Sequence, residues 1–204
     1  MSGHALKDGQ EAVMTAIAYN TIQPPFTLKF WDMSKKELRD YYNWFQKAIP
    51  ERIDELASAV RSSDGFDDWR PDYTPSSLNP LGNWLATQVQ YRPRTEEEMQ
   101  EIAIHSPFPR SNQVMTNRTI SLAMDIAMYF GQVLLRNHPS LRWEQPFGSK
   151  KYIDYGQPVL AGFSDGVPMN PVRIMTTLAS GLNDKTYSGR RLRELYDNAQ
   201  KRIG

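Results

Sequence analysis

The stretch Asn117–Asn137, with the sequence NRTISLAMDIAMYFGQVLLRN, decides the fold of this chain. Apolar residues recur through it at helical spacing and form one wide face, which is typical of a helix buried in a core. That face consists of Ile120, Ala123, Met124, Ala127, Gly131, Leu134 and Leu135. The pattern stops at His138-Pro139, since proline has no amide hydrogen with which to continue a helix. The sequence therefore predicts that this segment is the longest helix and the centre of the core.

Shorter helical patterns lie on both sides of this segment. Ser34 and Glu37 have the spacing of a capping box, which predicts that a helix begins just after Ser34. Pro50 then either ends that helix or opens the next one as its first residue. Asn170 followed by Pro171 also predicts a helix start, with Asn170 as the cap. Further helical patterns cover residues 11–19, 34–49, 50–62, 78–91, 95–105, 172–182 and 188–203.

Large β-forming residues follow the central segment. They are concentrated in residues 142–147 and 152–163, which predicts two strands of an antiparallel hairpin. The sequence thus predicts a predominantly helical α+β fold, with about seven helices around a long central helix. A small antiparallel hairpin or sheet is expected in the C-terminal half. Residues 1–204 are expected to form a single domain, and the loop 63–79 is the one candidate for a subdomain boundary.

The composition excludes several classes of protein. The chain has 204 residues, of which 40% are hydrophobic and 23% charged, and this does not fit disorder, collagen or a transmembrane bundle. The net charge is +1, so a strongly basic nucleic-acid-binding module is not expected. Cysteine is absent, which excludes disulfides, thiol nucleophiles and Cys-ligated zinc. The first residues lack the pattern of a signal peptide, and a cytoplasmic location is therefore the expectation.

The small net charge conceals a difference between the two halves of the chain. Residues 1–102 contain 11 Lys or Arg against 16 Asp or Glu, whereas residues 103–204 contain 13 against 7. Such a contrast can mark an interaction surface. The other interpretation is that the halves are solvated by different charges and fold back on each other. Arg190, Arg191 and Arg193 also oppose the dipole of the last helix, so they favour an acidic partner, whether in this chain or outside it.

The usual motifs of metal and phosphate chemistry are missing. The three histidines are far apart in the sequence and form no His-x-x-x-His pair. The loop 63–79, which we call the acidic loop, contains four aspartates. It does not follow the calcium-binding EF-hand pattern, which needs Gly at position six and Glu at position twelve. Counted from Asp64, those positions hold Trp69 and Pro75. Glycine-rich phosphate loops and nucleophile elbows are absent as well, so we expect neither a metal nor a cofactor.

Asp125 lies in the middle of the apolar central segment. A buried carboxylate with a shifted pKa would be a candidate for catalysis. The interpretation that we favour is structural, with Asp125 paired to an Arg or a Tyr, because buried charges are normally paired. An enzyme built around it would bring together Asp125, Glu144, Asp154 and Arg173, between the long helix and the hairpin. A deep polar pocket at Asp125 would favour that enzyme, whereas a packed and paired Asp125 would count against it.

The loop 63–79 provides the best candidate for a partner-binding face. It places carboxylates next to aromatic rings, a combination that attracts a basic partner and then holds it through buried contacts. We predict that charge reversal at Asp67 and Asp68 weakens partner binding, most strongly at low salt. The residues of this predicted face are Asp64, Asp67, Asp68, Trp69, Asp72 and Tyr73.

Several stretches resemble a group of small uncharacterised bacterial proteins. They are MSKKEL at 33–38, YNWF at 42–45, IPERI at 49–53, SLAMDIAMYFG at 121–131, NHP at 137–139 with Trp143, and YGQPVL at 155–160 with Asn170-Pro171. In many helical proteins of this style the central helix ends in Tyr-x-Gly-Glu-x-Leu, and Gln132 stands here in place of that Glu. More loosely, the chain resembles immunity proteins of bacterial polymorphic toxin systems. That resemblance implies a small, cytoplasmic, non-enzymatic fold that binds one toxin domain.

These observations favour a non-enzymatic, cytoplasmic protein that binds another protein, with an immunity protein that blocks a cognate toxin as its specific form. Two alternatives stay open. One is a small hydrolase-like or transferase-like enzyme that uses carboxylates and arginines, and the other is a structural or phage-associated oligomer component. A membrane partner is not expected, since the most apolar stretch, residues 120–135, is interrupted by Asp125 and Gln132.

Overall fold

The structure is a computed structural model that describes residues 19–105 and 111–203. Within these ranges the helices are α1 (Lys35–Arg61), α2 (Leu78–Gln88), α3 (Glu96–His105), α4 (Asn117–Asn137), α5 (Pro171–Asn183) and α6 (Arg191–Gln200). The strands are β1 (Tyr91–Pro93), β2 (Gln113–Met115), β3 (Arg142–Glu144) and β4 (Val159–Ala161). The predicted helical α+β class is confirmed, although the described residues form six α-helices and not about seven. Residues 11–18 of the predicted helix 11–19 lie outside the described residues.

Helix α4 packs against both α5 and α1, and its bounds agree with the prediction. Thr116 caps its N-terminus, because the side-chain oxygen of Thr116 accepts a hydrogen bond from the Thr119 amide. Most of the helix is buried, including Met128, Tyr129 and Phe130. The prediction that it is the longest helix is wrong, since α4 has 21 residues and α1 has 27.

Helix α1 is continuous through Pro50, so the predicted break at this residue is wrong. The capping box at its start is confirmed by reciprocal bonds between Ser34 and Glu37, at 2.7 and 3.2 Å. Proline removes one backbone hydrogen bond from a helix interior. The buried stripe nevertheless continues on both sides of Pro50, with Ile49 before it and Ile53 after it. Packing of this stripe against the core keeps the two halves in one helix.

Two small antiparallel sheets complete the fold within the described residues. Strands β3 and β4 form the predicted C-terminal pair, with Trp143 opposite Leu160. They are shorter than predicted because the chain between them turns, and Gln145 fastens that turn by donating to the carbonyls of Leu38 and Gly156 at 2.6 and 2.8 Å. The pair of β1 and β2 was not predicted.

The β3–β4 pair is docked on the helices through Trp143. A Cβ atom on Gly131 of α4 would lie 2.4 Å from Cζ2 of the Trp143 ring, so only glycine leaves room for this contact. The same ring packs edge-on against Phe45 of α1, with ring centroids 5.3 Å apart. One side chain therefore ties the sheet to two helices.

Most of the buried apolar side chains among the described residues belong to one hydrophobic cluster. The cluster includes Leu56 before the loop 63–79, Trp69 within it, and Leu81 and Trp84 after it. Because both sides of the loop contribute to the same cluster, the loop lies across a shared core.

Candidate functional site

The acidic loop connects α1 to a short 3-10 helix, Pro75–Ser77, which leads into α2. The side chains of Asp64, Asp67, Asp68 and Asp72 are exposed, and we refer to these four residues as the acidic face. These four carboxylates outnumber the single positive charge of Arg70 within the same nine positions, so the loop has a net negative charge that attracts a basic surface. The two aromatic residues that the sequence assigned to the same face, Trp69 and Tyr73, are not exposed like the carboxylates.

Trp69 is buried, with 5% of its surface exposed, which corrects its predicted place on the binding face. Its indole N–H donates to the Ser77 carbonyl at 3.0 Å. Its ring packs edge-on against Tyr129 of α4, with centroids 5.4 Å apart. A buried indole whose N–H is bonded is a stable anchor. Trp69 therefore fixes the acidic face to the core from below.

Tyr73 is half-buried and forms the second anchor of the loop. Its φ of +61° lies in the left-handed region, which a residue other than glycine holds only when its surroundings stabilise it. The Tyr73 amide donates to the Tyr129 hydroxyl at 3.2 Å, and its carbonyl accepts from Asn137 at 2.9 Å. The Arg136 guanidinium lies 3.3 Å from the centre of the Tyr73 ring, in a cation–π contact. These contacts hold the strained turn in place.

Hydrogen bonds also fix the backbone of the loop between the two anchors. The amide of Phe66 donates to the Ser63 carbonyl, and the amide of Trp69 donates to the Phe66 carbonyl, both at 3.0 Å. The Arg70 guanidinium donates to the carbonyls of Asp67 and Trp69 at 2.7 and 2.8 Å. Because the loop is already ordered, a partner would lose little affinity to the entropy of ordering it.

A shallow cavity opens beside the acidic face. Its lining combines two carboxylates with apolar surface, so the aliphatic stem and the charged head of a lysine or arginine both find a complement there. The lining residues are Gly65, Phe66, Asp67, Asp68, Trp69 and Pro80, around a volume of about 370 Å³.

Asp125 is fully buried and is paired, as the structural interpretation predicted. Nε and Nη2 of Arg52 donate to its two carboxylate oxygens, each at 2.8 Å. The Tyr19 hydroxyl donates to the same carboxylate and lies 2.7 Å from the hydroxyl oxygen of Ser121. This buried centre joins α1 to α4 and holds the segment that precedes α1.

The pKa values of the buried centre follow from burial and pairing. Burial raises the pKa of the Asp125 carboxyl, while the hydrogen bonds and the charge of Arg52 oppose that change. Burial, reinforced by the charge of Asp125, raises the pKa of the Tyr19 hydroxyl, which therefore remains a proton donor at neutral pH. Both carboxylate oxygens are occupied and shielded from water. This arrangement stabilises a charge pair and does not offer Asp125 to a substrate as a base.

The four residues of the predicted enzyme site fall into separate ion pairs. Asp154 and Arg173 do meet, since Nη2 of Arg173 donates to the Asp154 carboxylate at 2.8 Å. Asn170, the cap of α5, donates to the same carboxylate at 2.9 Å. Glu144 forms its ion pair within β3, and Asp125 forms its own with α1. The pair of Asp154 and Arg173 is the one part of this predicted site that the fold brings together.

The sequence reasoning missed Arg52 as the partner of Asp125, although a signal was present. Arg52 lies three residues after Ile49 and four before Leu56, on the apolar stripe of α1. A charged residue on such a stripe needs an opposite charge inside the core. Asp125 is the matching exception on the stripe of α4, so the two exceptions could have been paired with each other.

Comparison of the chain with models of protein families, with curated proteins and with solved structures finds no match. Within residues 19–105 and 111–203, no group of three or more His, Cys, Asp or Glu side chains is placed to hold a metal ion. None of the helices in the same ranges is both long enough and apolar enough to cross a membrane. We take the acidic face and its cavity as the candidate site, because they combine exposed carboxylates with apolar surface.

Proposed function

We propose that this chain is a non-enzymatic binding protein of the immunity-protein type, which covers a basic surface of one toxin with its acidic face. The observation that carries the proposal is the rigid support of four exposed carboxylates by two anchored aromatic residues, Trp69 and Tyr73. A preorganised charged surface binds without first having to be ordered. The mechanism is steric and electrostatic: the bound chain occupies the active site of the toxin.

The acidic face would act mainly on the rate of capture. Complementary charges steer two proteins into contact and raise the association rate by about 10- to 1000-fold at low salt. The cavity beside the face would then accept a basic side chain of the partner between Asp67 and Asp68. Exposed charges of this kind are screened by salt, so the contribution of the face decreases as the ionic strength rises.

The first experiment identifies the partner. The tagged chain is used for affinity capture from the native host, and it is also co-expressed with the product of the adjacent gene. The proposal expects that this product alone arrests growth and that co-expression of the chain restores it. Failure to capture any partner, together with failure to restore growth, contradicts the proposal.

The second experiment tests the face itself with the partner so identified. The double variant Asp67→Lys/Asp68→Lys should lower the association rate by about tenfold or more at low salt, and by less at high salt. The control is Glu51→Lys/Asp54→Lys, which makes the same charge change at exposed positions of α1. Glu51 lies ten residues before the end of α1, about 15 Å along the helix axis. Equal rates for the two double variants would exclude the acidic face as the binding surface.

A further inference from the structure

A second cavity lies between α5 and α6, on elements that do not carry the acidic face. Its volume is about 280 Å³, roughly that of nine water molecules, which suits a small organic molecule. Its lining joins two arginines to apolar side chains, and none of these described lining residues is acidic. The lining consists of Arg173, Ile174, Thr177, Leu178, Tyr187, Arg191 and Leu195.

The first arginine of this cleft, Arg173, is held in place by a buried carboxylate. Asp154, which is 1% exposed, accepts a hydrogen bond from Nη2 of Arg173 at 2.8 Å. Asp154 is fixed in turn by Asn170, the cap of α5. The Arg173 side chain remains 49% exposed, and among the described residues its guanidinium makes no hydrogen bond other than this one. A guanidinium has five N–H donors, so most of them remain available to a ligand.

The second arginine, Arg191, is held by an aromatic ring. Its guanidinium lies 5.0 Å from the centre of the Tyr187 ring, in a cation–π contact. The ring in turn rests on Gly181 of α5, where a Cβ atom would lie only 2.0 Å from Cδ2 of Tyr187. The Arg191 guanidinium forms one bond, at 3.1 Å, to the exposed Glu194, which is the only one it makes within the described part of the chain.

The remaining lining selects the kind of molecule that fits. Ile174, Leu178 and Leu195 supply apolar surface, and the Thr177 hydroxyl donates to the Arg173 carbonyl at 3.0 Å. We propose that this cleft binds a small organic carboxylate, with its apolar body on these side chains and its carboxylate on the two guanidinium groups. The planar fork of arginine matches a carboxylate geometrically. Each arginine already forms an ion pair with one carboxylate of the protein, which neutralises part of its charge. The positive charge that remains on the two guanidinium groups suits a monoanion better than a dianionic phosphate.

The inference does not depend on the proposed function and is tested on the full chain with benzoate as the probe. Titration is followed by nuclear magnetic resonance, on the methyl groups of Leu178 and Leu195. Benzoate should cause saturable shifts at these methyl groups, with a dissociation constant in the millimolar range or below. Benzamide has the same shape without the charge and should bind about tenfold more weakly, as should inorganic phosphate.

Two variants test the roles of the arginines. Arg191→Gln should weaken benzoate binding about tenfold, whereas Arg190→Gln, an exposed neighbour that does not line the cleft, should leave it unchanged. Arg173→Lys keeps a positive charge beside Asp154 but loses the planar fork, so it should also weaken binding. Equal binding of benzoate and benzamide, equal effects of the two glutamine variants, or tighter binding of phosphate would each overturn the inference.

Discussion

Replacement of Asp125 by asparagine should destabilise the protein far more than the loss of one charge suggests. The carboxylate accepts three hydrogen bonds, two of them from Arg52, which is itself 8% exposed. In the variant, the guanidinium keeps the Asn20 carbonyl, at 2.8 Å, as an acceptor but loses the buried negative charge with which it is paired. An uncompensated buried charge costs about 3–5 kcal/mol. For a chain of this length that corresponds to a decrease in Tm of about 6–20 °C.

The measurement is unfolding by guanidinium chloride, followed by tryptophan fluorescence, since the chain has five tryptophans. The matched control is Asp40→Asn, because Asp40 forms an exposed ion pair with Lys36 at 2.8 Å on α1. The control should change the free energy of unfolding by about 0.5 kcal/mol or less. The same chemical substitution is thus compared at a buried and at an exposed ion pair.

A double variant shows whether the cost comes from the charge that is left behind. Arg52→Met/Asp125→Leu removes both charges and fills the space with apolar groups, and such exchanges of buried pairs are often neutral or stabilising. The double variant should therefore recover most of the stability that Asp125→Asn loses. A loss below about 1 kcal/mol for Asp125→Asn, or a double variant less stable than that single variant, would refute the reasoning.

Two further predictions concern the packing of the sheet and the response to acid. Gly131→Ala should lower the free energy of unfolding by about 1–3 kcal/mol, because the added methyl group collides with the Trp143 ring, and an unchanged Tm would contradict that contact. The pKa of Glu98 is lowered to about 2, first by hydrogen bonds from Arg92 and then by the Thr95 amide. Its stabilising contribution is therefore complete above its unfolded pKa of about 4.3 and is lost as the pH falls towards the folded value. Titration of the Glu98 carboxyl by nuclear magnetic resonance should show that low midpoint, and Glu98→Gln should remove this part of the acid sensitivity. A midpoint near the unfolded value would contradict the prediction.

The elements that could be predicted are those whose signals are local. Helix α5 begins where Asn170 and Pro171 predicted, since the Asn170 side chain accepts from the Arg173 amide. Helix α4 has both a cap and a long apolar period, and its two ends agree with the prediction. Caps and periodicity act within a few residues, so one sequence is enough to read them.

The elements that could not be predicted depend on contacts distant in the sequence. Strand β1 has three residues, and Tyr91 pairs with Met115 across 24 positions of the chain. Nothing in the three residues of either strand distinguishes them from a loop. Pro50 carries a strong local signal for a helix end, but packing of the apolar stripe overrides it.

The candidate site shows the same division between local and distant signals. The exposure of Asp67 and Asp68 could be predicted, because carboxylates in a loop remain solvated. The burial of Trp69 could not, since it depends on Tyr129, which lies 60 positions further along the chain. The partner of Asp125 differs from Trp69 in this respect: Arg52 precedes it by 73 positions, but the charged residue on each apolar stripe was a local signal that could have been used.

The ion pairs also distinguish the two interpretations of the charge contrast between the halves of the chain. If the acidic half neutralised the basic half, ion pairs would join acids of residues 1–102 to bases of residues 103–204. Among the described residues, one ion pair joins the halves, that of Arg52 and Asp125, and it has the opposite sense. Arg191 and Arg193 pair within their own helix, at 3.1 and 2.8 Å. Within residues 19–105 and 111–203, therefore, no ion pair joins an acid of the first half to a base of the second. The carboxylates of the acidic face make no ion pair with those bases, so their charge is available to a basic surface, as the proposed function requires.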